Sequence, residues 1–123
     1  IDKRRYAPNK AEIVHLIGDL KGKDVLIIDD MIDTAGTTVN AANAAKENGA
    51  NSVTAVATHA LLSGPAIERI KKSAIGKIIV TDTLSIPDEK KIENMEIVTV
   101  ANVFGEAIKR VFEGKSVSAL FEF

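Results

Sequence analysis

Two adjacent carboxylates and a loop rich in small and hydroxyl residues form the part of this sequence best suited to chemistry. Asp29 and Asp30 directly follow the apolar run at residues 25–28. Carboxylates accept hydrogen bonds from sugar hydroxyls and also suit a hydrated Mg²⁺. A loop then offers hydroxyls and backbone N–H groups at the start of a predicted helix, which suits a phosphate monoester. The loop residues are Asp33, Thr34, Ala35, Gly36, Thr37 and Thr38. A diol site beside a phosphate site describes a ribose 5-phosphate moiety.

Two other interpretations of this segment have to be weighed. Four apolar residues followed by acidic ones are also typical of the metal-binding strand of a P-loop nucleotide hydrolase, but the motif G-x-x-x-x-G-K-[ST] occurs nowhere in the sequence. Capping of the next helix by Asp33 or Thr34 is a second interpretation. Capping leaves Asp29 and Asp30 unexplained, so the ribose-phosphate interpretation accounts for more of the segment.

Short apolar runs that alternate with helical patterns must position these residues. Strands are predicted over residues 25–28, 53–58, 78–81 and 97–100. Helices are predicted over residues 37–48, 65–72 and 102–113, with Gly49 and Gly114 at the ends of the first and the last. The alternation predicts an α/β fold with a mostly parallel central sheet flanked by helices, and the continuous run 25–28 predicts a central strand buried on both faces. Residues 11–20 fit a helix or a strand, and we favour a strand.

Composition limits the class of protein. The 123 residues are 46% hydrophobic and 27% charged, which is typical of one globular domain over residues 1–123. A net charge of −1 argues against a broad nucleic-acid-binding surface, and no apolar run is long enough to span a membrane. The sequence contains no cysteine, which excludes thiolate metal sites, and a cytoplasmic location is expected. Because the chain begins at Ile1 without Met, we expect a processed form, a piece of a longer protein or a partial record of one.

Motifs along most of the chain resemble the C-terminal half of the ribose-phosphate diphosphokinase family, which has a type I phosphoribosyltransferase fold. The bacterial class I form is the most similar in pattern. The motifs that carry the resemblance lie at residues 1–5, 18–24, 29–38, 57–59, 63–65, 80–83, 106–110 and 116–121. The family makes phosphoribosyl pyrophosphate and AMP from ATP and ribose 5-phosphate, with Mg²⁺ bridging the phosphates.

The resemblance implies a role for several of these residues. Lys3 and Arg5 match the family's catalytic loop, where a Lys point charge and a planar Arg fork stabilise the transferring β-phosphoryl group, and Arg5 also contacts ribose 5-phosphate. Asp29 matches the contact with the ribose hydroxyls, and Asp30 serves the ribose or orients its neighbour. The loop from Asp33 to Thr38 matches the 5-phosphate site.

The resemblance also implies regulation and assembly. Ser116, Ser118 and Phe121 match a segment that helps to form an allosteric pocket for phosphate or ADP between subunits. A homo-oligomer of the hexameric type is implied for the full-length protein. His15 and His59 are expected to be structural or surface residues, because their spacing does not suit a metal pair. No metal ligand is expected in this chain.

Two alternatives to the synthase remain open. A noncatalytic regulatory relative would keep the fold, although the intact residues 3–5 and 33–37 argue against it. A nucleobase salvage phosphoribosyltransferase would share the ribose-phosphate loop and bind a base instead of ATP. Since the family enzyme has two similar domains, we expect this chain alone to bind ribose 5-phosphate weakly and to turn over little or nothing.

Overall fold

A computed structural model describes residues 18–121 in full, together with the backbone of residues 2–4 and 13–15. Its strands are β1 (Asp2–Arg4), β2 (Ile13–His15), β3 (Asp24–Ile32), β4 (Ser52–Ala60), β5 (Lys77–Thr81) and β6 (Met95–Val98). Its helices are α1 (Gly36–Glu47), α2 (Ala66–Lys71) and α3 (Ala101–Phe112). Short 3-10 helices lie at Asp88–Lys90 and Ser118–Phe121.

The main sheet is parallel and has four strands in the order β3-β4-β5-β6. Parallel pairing requires a crossover between successive strands, and α1 and α2 supply the first two. β1 and β2 form a separate antiparallel pair. The predicted α/β class with a parallel sheet is confirmed. Because all four strands run the same way, the carboxyl ends of β3, β4 and β5 meet at one edge, where α/β proteins bind ligands.

Small side chains bring α1 close to the sheet. Ala42 and Ala45 of α1 are at most 1% exposed, and so are Ala55 and Ala57 of β4 in the same apolar core. Alanine against alanine permits a short distance between helix and sheet. Ile78 of β5 is also completely buried in this core. α1 contacts both β3 and β4, which positions its N-terminus beside the carboxyl end of β3.

The position of β3 differs from the prediction. β3 lies at the edge of the four-stranded sheet, and Leu26 and Ile28 on its outer face are 57% and 72% exposed. Among the described residues only the inner face of β3 is covered, by α1. For the described residues the prediction of a central strand buried on both faces is therefore wrong, although the strand itself is present and longer than expected.

The other elements are close to their predicted places. α1 and α3 begin and end one residue earlier than predicted, and α2 is one residue shorter than predicted at each end. Gly49 and Gly114 adopt the left-handed conformation, with φ of 87° and 65°, that ends α1 and α3. Of residues 11–20, 13–15 form the strand β2, while 11, 12, 16 and 17 lie outside the described residues. In the described part of the chain, no helix has both the length and the apolar character that a membrane span needs.

The fourth strand lies two residues earlier than predicted, at Met95–Val98. Hydrogen bonds of Asp82 lie at the end of this strand, β6. Asp82 donates its N–H to the carbonyl of Val98 at 3.2 Å, and its Oδ1 accepts the N–H of Val100 at 2.8 Å. The side chain of Thr99, followed by the N–H of Val100, holds the pKa of Asp82 below its usual value. These bonds turn the chain into α3, which buries none of its residues.

Candidate functional site

An open pocket lies where β3 leads into α1, and residues 29–31 and 33–38 line it. Every residue of the predicted ribose-phosphate site, apart from Arg5, is among them. One detail of the prediction was wrong: β3 continues to Ile32, so Asp29 and Asp30 lie within the strand and not after its end. The strand is longer because Met31 and Ile32 pair with His59 and Ala60 of β4. The carboxylates thus stand on a rigid element.

The two carboxylates point to opposite faces of β3, as alternation along a strand requires. Asp29 is half-buried on the inner face, opposite Ala57 of β4, whereas Asp30 is exposed. The Oδ1 of Asp29 accepts the N–H of Asp30 at 2.9 Å. This bond fixes the carboxylate of Asp29 and leaves Oδ2 as an acceptor for a ligand hydroxyl.

The loop reaches α1 through a left-handed residue. Ala35 has φ of 61° and is the N-cap of α1, and it makes no side-chain cap bond. Neither Asp33 nor Thr34 is the N-cap, so the capping interpretation is wrong. The positive end of the helix dipole lies at the pocket, where it favours an anion of the ligand. Within the loop Ala35 and Thr38 are only 4% exposed, whereas Asp33 and Thr34 are accessible.

The segment between β4 and α2 binds the carbonyl groups of the loop. The N–H groups of Leu61 and Leu62 both donate to the carbonyl of Ile32 at 3.0 Å, and the N–H of Ser63 donates to that of Asp33 at 2.9 Å. The Nη1 of Arg69 donates to the carbonyl of Thr34 at 3.0 Å. Sequence reasoning missed Arg69 because it follows the loop by more than thirty residues and belongs to no motif of its own. The βαβ topology, which places α2 beside α1, is the signal that could have identified it.

Several predicted residues lie outside this pocket or outside the described part of the chain. Of Lys3 only the backbone is described, in β1 opposite Val14, and Arg5 lies outside the described residues. The resemblance implied a loop around Lys3, whereas Asp2–Arg4 form a strand.

The residues predicted for an allosteric pocket lie at the C-terminal turn. The carbonyl of Ser116 accepts Nη1 of Arg110 at 3.1 Å, and its Oγ accepts the N–H of Ser118 at 3.1 Å. Phe121 is 73% exposed. The structure thus brings Ser116 and Ser118 together and leaves the ring of Phe121 accessible.

The histidine of β4 has a structural environment. Nδ1 of His59 lies 2.9 Å from Oγ1 of Thr83, and the hydroxyls of Thr81 and Thr83 both donate to the carbonyl of Thr58. The predicted structural role of His59 agrees with this network, and the side chain of His15 lies outside the described residues. Across the described residues, no three His, Cys, Asp or Glu side chains are grouped so that they could hold a metal ion.

Comparison with known proteins points in one direction. Residues 4–122 match the model of the phosphoribosyl synthetase-associated domain. The chain is 57% identical over 122 residues to a ribose-phosphate pyrophosphokinase of Chlorobaculum tepidum, and 54% identical over 121 residues to one of Corynebacterium ammoniagenes. These alignments cover 99% and 98% of the chain but only 38% of each relative.

A solved structure has the same fold. A phosphoribosylpyrophosphate synthetase from Mycobacterium smegmatis superposes on the chain with a TM-score of 0.78 at 40% identity, over 80% of this chain and 33% of the other. The chain therefore spans much less than half of the length of the proteins that it matches.

Proposed function

The chain belongs to the phosphoribosyl synthetase-associated domain family, and we propose on that premise that it is the ribose 5-phosphate-binding domain of a ribose-phosphate pyrophosphokinase. Residues 1–123 would form one domain that corresponds to the C-terminal half of the complete enzyme. The observation that carries the proposal is the pocket at the carboxyl end of β3, which combines the carboxylate of Asp29 with the N-terminus of α1.

The pocket offers a different chemistry to each half of the substrate. Oδ2 of Asp29 would accept a hydroxyl of the ribose, because Oδ1 is already bonded to the N–H of Asp30. The 5-phosphate would lie against residues 33–38, where backbone N–H groups and the helix dipole favour an anion. Asp30, exposed on the outer face, would serve the ribose or keep Asp29 oriented.

The complete protein would transfer the diphosphoryl group of ATP to ribose 5-phosphate. The C1 hydroxyl oxygen of ribose 5-phosphate would attack the β-phosphorus of ATP. The bond from this phosphorus to the oxygen that bridges it to the α-phosphorus would break, so that AMP leaves. The hydroxyl proton would pass to solvent. Such transfers depend mainly on positioning and on neutralising charge at the equatorial oxygens. Lys3 and Arg5 would supply that positive charge, and Arg5 would also contact ribose 5-phosphate.

Mg²⁺ is the proposed cofactor. It usually keeps several waters and binds through one or two carboxylates together with substrate phosphates. The described residues fit such a partial site, because Asp29 or Asp30 could bind a water of the hydrated ion, whereas no cluster of three ligands is available among them. When bound, Mg²⁺ would neutralise phosphate charge.

Further parts of the proposal follow from the family resemblance. The complete protein would be a cytoplasmic homo-oligomer that uses ATP. ADP and phosphate would be effectors, bound with the help of Ser116, Ser118 and Phe121, whose exposed ring is accessible to such a ligand.

Calorimetry on this chain tests the ribose-phosphate site. We expect ribose 5-phosphate to bind more tightly than ribose or inorganic phosphate, because it engages both halves of the pocket. The expected affinity is weak, since the chain spans only 38% of the length of each relative. Equal affinity for ribose 5-phosphate and inorganic phosphate would contradict a ribose site at Asp29.

A chimera tests the reaction. The segment of the Chlorobaculum tepidum enzyme that aligns with this chain is replaced by the chain, and release of AMP from ATP and ribose 5-phosphate is measured. We expect the chimera to be active and the chain alone to be nearly inactive. An inactive chimera that folds and binds ribose 5-phosphate would favour a noncatalytic relative. Turnover of phosphoribosyl pyrophosphate with a nucleobase would instead indicate a salvage transferase.

A further inference from the structure

We propose that Arg69 is a positioning residue for the ribose-phosphate loop: its guanidinium holds the peptide between Thr34 and Ala35 so that the N–H of Ala35 points into the pocket. The inference rests on the proposed function, because it assigns a purpose to the loop of the same site. It concerns a residue of α2, which contributes no side chain to the pocket lining.

Three successive carbonyls, that of Ile32 at the end of β3 and those of Asp33 and Thr34 in the loop, are bonded to the part of the chain that follows β4. Those of Ile32 and Asp33 accept N–H groups from residues 61–63, as described above. The third, that of Thr34, lies beyond the reach of this backbone ladder, and the side chain of Arg69 continues it at 3.0 Å. Arg69 therefore completes the row of bonds on the side of the loop away from the ligand.

Peptide geometry turns this row into an orientation of donors. In a trans peptide the carbonyl of one residue and the N–H of the next point in opposite directions. Holding the carbonyls of Ile32, Asp33 and Thr34 against the flanking segment directs the N–H groups of Asp33, Thr34 and Ala35 to the opposite side. None of these three N–H groups donates to another described residue. Within the described part of the chain they therefore remain available to phosphate oxygens.

The bond from Arg69 acts at the least favourable backbone conformation of the loop. Ala35 has φ of 61°, a conformation that costs a residue with a side chain about 1–2 kcal/mol. Such a conformation persists where the surroundings impose it. The guanidinium also packs beside Gly36, since a Cβ at that residue would lie 3.5 Å from Nη1 of Arg69.

The helix that carries Arg69 is itself fixed. Ala66 and Ile70 of α2 are at most 1% exposed in the core, so the backbone of Arg69 has little freedom. Its guanidinium also brings a positive charge to a loop that adjoins the carboxylates of Asp29, Asp30 and Asp33. The positive charge favours a dianionic phosphate at this place.

The test compares Arg69→Gln with Lys71→Gln, which removes one positive charge from the same helix without touching the loop. The first readout is ¹⁵N relaxation in the ligand-free protein. We expect the order parameter of the Ala35 amide to fall from about 0.85 to below about 0.6 in Arg69→Gln. We expect Lys71→Gln to leave it unchanged. Denaturant unfolding of both variants verifies that the domain stays folded.

The second readout is calorimetric affinity for ribose 5-phosphate. We expect Arg69→Gln to bind about tenfold more weakly, the effect of losing one charge-assisted hydrogen bond that orders the loop. Lys71→Gln should stay within twofold of the original chain. An unchanged Ala35 order parameter, or equal affinity of Arg69→Gln and the original chain, would overturn the role of Arg69. If the original chain binds no ribose 5-phosphate while the order parameter still falls in Arg69→Gln, the proposed function fails and the ordering of the loop by Arg69 stands.

Discussion

The substitution Asp29→Asn separates the charge of the carboxylate from its shape. Oδ1 accepts the N–H of Asp30 at 2.9 Å, and an asparagine can keep this bond through its single carbonyl oxygen. Its amide NH₂ then replaces Oδ2 and cannot accept a ribose hydroxyl. The loss is one charge-assisted hydrogen bond, about 1.5–3 kcal/mol, which corresponds to an affinity for ribose 5-phosphate weaker by about 10- to 150-fold.

Calorimetry with ribose 5-phosphate measures this loss, and inorganic phosphate serves as a second ligand. We expect the affinity for inorganic phosphate to change little, because it binds only the loop. Asp19→Asn is the matched control, since Asp19 also accepts a nearby backbone N–H, that of Lys21 at 3.0 Å, and lies outside the pocket. The free energy of unfolding should change by less than about 0.5 kcal/mol in either variant. Equal affinities of Asp29→Asn and Asp19→Asn for ribose 5-phosphate would refute the role of Asp29 as a ribose ligand.

Three further predictions concern stability and are measured by denaturant unfolding. Ile78→Ala, at a completely buried residue of β5, should lower the free energy of unfolding by about 2–5 kcal/mol. Ile28→Ala, at a residue of β3 that is 72% exposed, should lower it much less. Similar losses in the two variants would contradict the exposure of the outer face of β3. Gly49→Ala should cost about 1–2 kcal/mol, because φ is 87° there, and an unchanged stability would contradict the left-handed end of α1. The bond to Thr99 lowers the pKa of Asp82, so the stabilisation by its carboxylate is present above the unfolded value of 3.8 and is lost as the pH falls through the lower, folded pKa. Asp82→Asn should therefore remove this part of the pH dependence of the free energy of unfolding. Identical pH profiles of the variant and the original chain would contradict this role of Asp82.

Local sequence signals predicted most of the elements around the site. The apolar runs at residues 25–28, 53–58 and 78–81 each lie in a strand, and Gly49 and Gly114 follow the ends of their helices. The residues that the sequence singled out between positions 29 and 38 line one pocket, because the loop that follows a parallel strand and opens a helix is local in sequence. Asp29 and Asp30 were placed after the strand because acidic residues are poor strand formers, a preference that pairing with β4 overrides.

Longer-range features could not be predicted in the same way. Whether an apolar strand is covered on one face or both depends on what packs on it, so the exposure of Leu26 and Ile28 has no signal in the run itself. The bond from Arg69 to Thr34 depends on a crossover that places α2 beside α1. The absence of a side-chain cap at Ala35 depends on the left-handed turn, which alanine rarely adopts and the sequence does not indicate.

Residues 29–38 are proposed to bind ribose 5-phosphate, with its phosphate at the N-terminus of α1. This binding is tested by titration of the ¹⁵N-labelled chain with ribose 5-phosphate, in which the amide chemical shifts are followed. We expect the largest shifts on the amides of residues 33–38 and on that of Asp30, whose N–H is bonded to Asp29. We expect inorganic phosphate to shift the amides of the loop but not that of Asp30. Saturable shifts confined to other parts of the chain, or no shifts at the highest ribose 5-phosphate concentration that the sample tolerates, would contradict this binding site.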